Sequence, residues 1–250
     1  MSFIDLTIDN GIATVILNRG KVNALNETLV EQLITCFNDL IDDNDVRSVI
    51  LTGHGKFFSF GLDIPELIPY SKESFEDFII KFTDLYTQIY MYPKAVICAV
   101  NGHAIAGGFI LASACDYRLM VSGKTQIALN EVTFGSSIFA GNLEILKALV
   151  GVRNAELIAL RGKMYSAEQA KNFNLIDRVV SEEELYAEAV YMAESYAQKD
   201  LTAYYSIKKL IRQPIYEAYK AREEEAIKEF VEIWYSDYTR AQIAEITIRG

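Results

Sequence analysis

Three short stretches of the 250-residue chain carry residue types that could do chemistry. The first is HAIAGGFILASACDYR, His103 to Arg118, where Gly107 and Gly108 stand before small and apolar residues and no charge follows until Asp116. If a helix begins there, its first N–H groups lack intrahelical partners and lie at the positive end of the helix dipole. Gly107 has no Cβ to keep a ligand away from them. The glycine pair could cradle a phosphate, aim N–H groups at a developing negative charge, or let the helix pack closely. The stretch alone leaves all three open, packing being the most ordinary.

The second stretch is FFSFGLDI, Phe57 to Ile64, which couples aromatic residues to Gly61 and the acid Asp63. The backbone N–H of Phe60, together with that of Gly107, would make a two-donor oxyanion hole. The plainer reading is a hydrophobic loop plugging the core, with Asp63 capping a turn. The third stretch, IALNEVTFG, sets Asn130 and Glu131 between apolar residues on both sides. Burial would raise the pKa of Glu131 and suit it to move a proton near neutrality; an ordinary solvated carboxylate on a turn is the alternative. Neither G-x-x-x-x-G-K-[ST] nor G-x-G-x-x-G occurs, which argues against nucleotide chemistry of those kinds.

The elements that must hold these stretches follow a rhythm. MSFIDLTIDNG reads as an opening strand, and Ile12–Leu17 and Val46–Thr52 as the next two. Ala95–Val100 is apolar on both faces, the pattern of a fully buried strand, and Tyr117–Val121 and Gln126–Leu129 continue the series. Asn26 should cap a helix whose apolar face is Leu29, Leu33, Phe37, Leu40 and Ile41. Ser74 should cap another, with a stripe from Phe75 to Ile89 that Pro93 closes. Helices dominate from Leu143 onward. The last is expected over Ile215–Trp234, with Lys220, Arg222, Glu223, Glu224, Lys228 and Glu232 on a charged face. Strand–turn–strand–helix units with a helical C-terminal region describe an α/β chain; residues 1–194 form the core and 195–250 a helical arm of the same unit.

Composition bounds the rest. The chain is 51% hydrophobic and 23% charged, as expected of a soluble globular protein. A net charge of -10 argues against nucleic-acid partners and an anionic membrane surface. No apolar run is long enough to span a membrane, and the N-terminus lacks the basic-then-apolar signature of a secretion signal, so the cytoplasm is the expected compartment. Three cysteines, widely spaced in apolar segments, read as core thiols. With only two histidines and no metal-ligand spacing, no metal site is expected.

Together, FSFGLD, NGHAIAGGFILASACDYR and LNEVTFG resemble, in order and spacing, the crotonase (enoyl-CoA hydratase/isomerase) superfamily. The resemblance covers nearly the whole chain, including the LNRGKVNALN turn, MYSAEQAKNFNLIDRVV and the charged C-terminal helix. It implies a crotonase-like spiral of ββα turns (stacked β-sheets) with a C-terminal helical trimerisation region, and assembly as a homotrimer or dimer of trimers. It also implies an acyl-CoA thioester whose carbonyl lies between two backbone N–H groups, matched to Phe60 and Gly107. Coenzyme A belongs to the substrate, and no separate cofactor is expected.

Hydratases of this family use two glutamates. The first lies three residues after the oxyanion glycine, which here is Ile110; the second matches Glu131. A lone carboxylate fits movement of a proton from C2 to C4, and AGGFILASACDYRLM followed by IALNEV is similar to the Δ3,Δ2-enoyl-CoA isomerase branch. The resemblance makes Glu131 the acid/base and places Asn130 against the thioester. Phe60, Gly61, Leu62, Asp63 and Ile64 would line the acyl-CoA, with Lys21 and Val22 near its nucleotide. The alternatives are a hydratase or another crotonase-type lyase, hydrolase or decarboxylase, and, from another class, a non-catalytic acyl-CoA-binding protein.

Overall fold

The computed structural model describes residues 2–246. Strands β1 (Ile4–Asp9) and β2 (Ile12–Leu17) form an antiparallel hairpin. Its turn is Asn10-Gly11, both at positive φ, the backbone that two-residue hairpins require. After α1 (Glu27–Asp42), three strand pairs follow: β3 (Ser48–Gly53) with β4 (Phe57–Ser59), β5 (Ala95–Val100) with β6 (His103–Ile105), and β7 (Tyr117–Val121) with β8 (Gln126–Ala128). Between the first and second pairs lie α2 (Ile64–Leu67) and α3 (Lys72–Tyr90), and between the second and third lies α4 (Gly107–Ala114). A 3-10 turn (Glu131–Phe134), α5 (Ala140–Val150) and α6 (Val152–Arg161) come after the third.

The first strand of each pair joins one sheet and the second strand the other. The larger sheet runs β1-β2-β3-β5-β7-β10 and the smaller β4-β6-β8-β9, closed by β9 (Tyr165–Ser166), α7 (Ala167–Asn172) and β10 (Arg178–Val180). Pairing is parallel throughout, except for β1 with β2 and β8 with β9. This is the expected ββα spiral, and it brings the turns after β4, β6 and β8 to one end of the smaller sheet. β5, at the middle of the larger sheet, is buried at all six residues. Unbroken apolar character is what a strand covered on both faces needs.

Three helices close the chain: α8 (Leu185–Ala197), α9 (Leu201–Trp234) and α10 (Asp237–Ala244). Among the described residues no helix is long and apolar enough to cross a membrane. Asn26 caps α1 as expected, accepting the Leu29 N–H. Ile41, however, is turned to solvent, and Val30 takes a buried place on that helix. The cap of α3 is Ser71 rather than Ser74: its hydroxyl accepts the Ser74 N–H, so the helix starts one turn earlier.

The larger departure is α9, expected from Ile215 but 34 residues long with Pro214 inside it. An internal proline removes one helical hydrogen bond and costs about 3 kcal/mol, so both flanks must be anchored. On one side Lys208 and Arg212 grip the two carboxylate oxygens of Asp116 at 2.7 and 2.9 Å. On the other, Tyr219, Ile227, Phe230 and Trp234 are buried. Glu223 lies on that buried stripe, not on the charged face where the sequence placed it.

Candidate active site

The turns at the end of the smaller sheet enclose a cavity of about 220 Å³. Its walls include Leu62 and Ile64 after β4, Ala106, Gly107 and Ile110 at the start of α4, and Asn130 and Glu131 after β8. The three stretches with chemical character thus meet in one place.

The two glycines of α4 do different things. A Cβ on Gly108 would overlap the Ser59 carbonyl oxygen of β4, so this glycine serves close packing. A Cβ on Gly107 would come no nearer than 3.1 to 3.3 Å to Leu25, Phe82 and the Gly61 Cα. Gly107 instead presents its N–H at the uncapped start of a helix buried over its whole length. Ahead of it Ala106 sits at φ 49°, ψ -115°, a conformation that disfavours any side chain. Its own N–H is held by the Ala128 carbonyl at 2.8 Å, and this forced kink turns the chain from β6 into the helix.

The partner donor is not the one expected. The Phe60 N–H is bonded to the Val22 carbonyl at 2.9 Å, and its ring packs edge-on against Phe57 while also lining the cavity. The Gly61 N–H is held by the Ser59 hydroxyl at 3.1 Å. Leu25 then bridges to Leu62, its N–H donating to the Gly61 carbonyl at 2.7 Å and its carbonyl accepting the Asp63 N–H at 2.9 Å. Leu62 lines the cavity, and its N–H has no acceptor among the described residues. The expected donor pair of Phe60 and Gly107 is therefore not available, because Val22 engages Phe60; the N–H beside Gly107 left without an acceptor is that of Leu62.

Glu131 opens the 3-10 turn after β8 and is 7% exposed. Its Oε2 has no hydrogen-bond partner among the described residues. Burial pushes its carboxyl up to about 8, with nearby backbone N–H groups opposing that rise. The turn is fixed from several sides. Ser136 N–H donates to the Glu131 carbonyl at 3.0 Å, and Thr239 of α10 donates its hydroxyl to the Gly135 carbonyl at 2.6 Å. Ile110 is 2% exposed and lines the same cavity. Glu131 is the only ionisable side chain among the described residues of the wall.

The remaining expected residues divide. Asn130 and Ile64 line the cavity. Gly61 stands behind the wall, where its φ of +92° and its closeness to Gly107 admit no side chain. Asp63 is withdrawn from the cavity: its carboxylate pairs with Arg19 at 2.6 Å and caps α2. Lys21 and Val22 also lie outside the cavity wall; Val22 holds the loop through Phe60, and Lys21 is on an exposed turn. What the three stretches did not reveal is the aromatic part of the wall, Phe82 from α3, Phe139 before α5, and Phe230 and Trp234 from α9. The apolar spacing of α3 and α9 was the signal, but it marks a core face equally well. Among the described residues no group of three or more His, Cys, Asp or Glu side chains could hold a metal.

A carboxyl kept protonatable near neutrality thus shares an apolar cavity with the N–H groups of Leu62 and Gly107, an arrangement with the chemistry to move a proton beside an oxygen that gains charge. The family model for enoyl-CoA hydratase/isomerase matches residues 7–242, and the chain belongs to that family. It is 32% identical over 204 residues to a putative enoyl-CoA hydratase of Thermus thermophilus, covering 80% of each chain. Its fold matches that of human mitochondrial delta3-delta2-enoyl-CoA isomerase, with a TM-score of 0.93 at 24% identity over 97% of this chain and 96% of that one. It also matches an enoyl-CoA isomerase of Mycobacterium tuberculosis, with a TM-score of 0.80 at 26% identity over 98% and 99% of the two chains.

Proposed function

We propose that the protein is a Δ3,Δ2-enoyl-CoA isomerase that converts a 3-enoyl-CoA to the trans-2-enoyl-CoA. The observation that carries this reading is the lone carboxyl of the cavity, Glu131, with Ile110 where a second acid would stand. The thioester oxygen accepts hydrogen bonds from the N–H groups of Leu62 and Gly107. Ionised Glu131 removes a proton from C2, and the electron pair forms a C1–C2 double bond and moves charge onto that oxygen, giving a dienolate conjugated with the C3–C4 double bond. The same carboxyl, now protonated, delivers the proton to C4, the double bond forms between C2 and C3, and Glu131 is ionised again. Asn130 contacts the thioester, and Ile110 denies the space in which water would be held for addition. The transfer is of protons only and needs no cofactor beyond the coenzyme A of the substrate.

Hydration is the second reading, favoured by the name of the Thermus relative. The purified protein given 3-hexenoyl-CoA should raise the ultraviolet absorbance of the conjugated thioester to a steady plateau. A rise that then decays would overturn the isomerase reading in favour of a hydratase. Binding of acyl-CoA with no absorbance change for this or longer esters would instead mark a non-catalytic or different acyl-CoA protein. Exposed apolar side chains on α6 and α9, including Val152, Leu160 and Leu210, support self-association as a homotrimer or a dimer of trimers.

A further inference from the structure

A second buried carboxyl lies near the cavity but does not line it. Helix α5 starts directly behind the wall, and its cap residue, Phe139, is part of that wall. Phe139 has no side-chain acceptor for the free N–H groups of the first turn, which must find one elsewhere. Glu223 reaches across from α9 to supply it: Oε2 accepts the Gly141 N–H at 2.7 Å. Its other oxygen accepts the Tyr86 hydroxyl of α3. The approach is so close that a Cβ on Gly141 would lie 2.6 Å from the Tyr86 hydroxyl and 3.0 Å from the Tyr219 ring. Tyr219 is itself tied to Thr87 at 3.1 Å between hydroxyls.

This three-helix joint bears on one ring. Phe139 lies 4.6 Å from Phe230, 6.1 Å from Phe82 and 6.4 Å from Tyr86, centroid to centroid. Phe230 and Trp234 continue the wall along α9, the helix that also carries Glu223. A carboxylate at the N-terminus of α5 also suits the helix dipole. Burial raises the Glu223 carboxyl, while the Tyr86 hydroxyl and the Gly141 N–H act in the opposite direction.

We propose that Glu223 is a positioning residue: by clamping Gly141 and Tyr86 together it holds Phe139 as a fixed aromatic wall of the acyl cavity, and so tunes the site to short acyl chains. The inference rests on the reading that this cavity takes the acyl group of a CoA ester. At about 220 Å³ the cavity falls below the usual range for drug-sized ligands, roughly 300–1,000 Å³. Without the clamp, the start of α5 loses its acceptor, the ring loosens, and a short chain loses its contacts while a longer one gains room.

The test is calorimetric binding of saturated hexanoyl-CoA and decanoyl-CoA to the full chain, which reads the cavity whatever reaction follows. Glu223→Ala should shift the ratio of the two affinities toward decanoyl-CoA by about tenfold, the scale of two lost methylene contacts. Glu223→Gln keeps an acceptor and should restore most of the wild-type ratio, which a merely structural role would not require. Phe139→Ala should reproduce the shift, and adding Glu223→Ala to it should contribute little more, as coupled residues do. Equal weakening of both esters by Glu223→Ala, or full additivity in the double variant, would overturn the proposal. Should Glu223→Ala fail to fold, Tyr86→Phe removes one side of the clamp instead: a shift toward decanoyl-CoA that vanishes in the Phe139→Ala background upholds the proposal, and a wild-type ratio in Tyr86→Phe overturns it. If wild type binds both esters but isomerises nothing, the clamp stands and only the reaction assignment falls; if it binds neither, both fall.

Discussion

Glu131→Gln protein is expected to lose 3-enoyl-CoA isomerisation by about a thousandfold, the scale of a positioned acid/base group, and yet to melt higher than wild type in mild alkali. The loss of rate follows because a carboxamide of nearly the same shape can neither take a proton from C2 nor return one at C4. Binding of a saturated acyl-CoA should be nearly unchanged, since the donors of Leu62 and Gly107 are untouched. Turnover near the wild-type rate would remove Glu131 from the chemistry.

The gain in stability comes from the same burial that makes Glu131 useful. Its carboxyl titrates near 4.5 in the ordinary state and is pushed up to about 8 in the fold. Between those values the unfolded chain releases a proton that the folded chain retains, so the folded state binds more protons and stability falls as pH rises. The contribution is complete below about pH 4.5 and gone above about pH 8. Over that window the loss is on the order of 4–5 kcal/mol at 1.36 kcal/mol per pH unit. Glutamine carries no such penalty. The melting temperatures of the two proteins should therefore differ by roughly 8–20 °C near pH 8.5 and converge toward pH 4.5; parallel curves at every pH would mean that Glu131 is solvated. The kcat/KM of wild type should also climb with pH up to about 8 and then level, since in the proposed isomerisation the ionised carboxyl is the base.

Much of this site was legible because its parts are local. Gly107 at a helix start, Glu131 between apolar neighbours and Ile110 one turn into α4 are properties of short stretches, and each stretch ends a strand of the smaller sheet. The donor at Leu62 was not legible. Which N–H of the Phe60–Asp63 segment stays free depends on the pairing of that segment with Val22 and Leu25, a contact between parts of the chain that no local pattern reports. Asp63 misleads for the same reason: Arg19 claims it from a distant turn. The length of α9 was hidden by Pro214, whose cost is offset by the grip of Lys208 and Arg212 on Asp116 across the fold. Glu223 follows the helical spacing of Tyr219 and Ile227, but a glutamate in an apolar stripe looks like a misplaced surface charge until Tyr86 and Gly141 appear beside it.

Gly61→Ala is expected to reduce kcat/KM by about 10²–10³, the effect of losing one oxyanion donor, although no donor atom is removed. Gly61 adopts φ +92°, and a Cβ there would lie 2.8 Å from the Ile105 carbonyl oxygen and 2.9 Å from the Gly107 nitrogen. Both neighbours are backbone atoms of the β6–α4 junction and cannot rotate aside, so the two loops that carry the donors must separate. Gly123→Ala provides the matched control. Its φ is +93° but nothing lies within 4 Å of the added methyl, so it should cost only the roughly 1–2 kcal/mol of left-handed backbone and leave kcat/KM unchanged. If the two variants lose stability and activity equally, backbone strain alone accounts for Gly61 and the spacing of the donors does not matter. If Gly61→Ala still folds and binds a saturated acyl-CoA while losing turnover selectively, the distance between Leu62 and Gly107 is what the strained glycine protects.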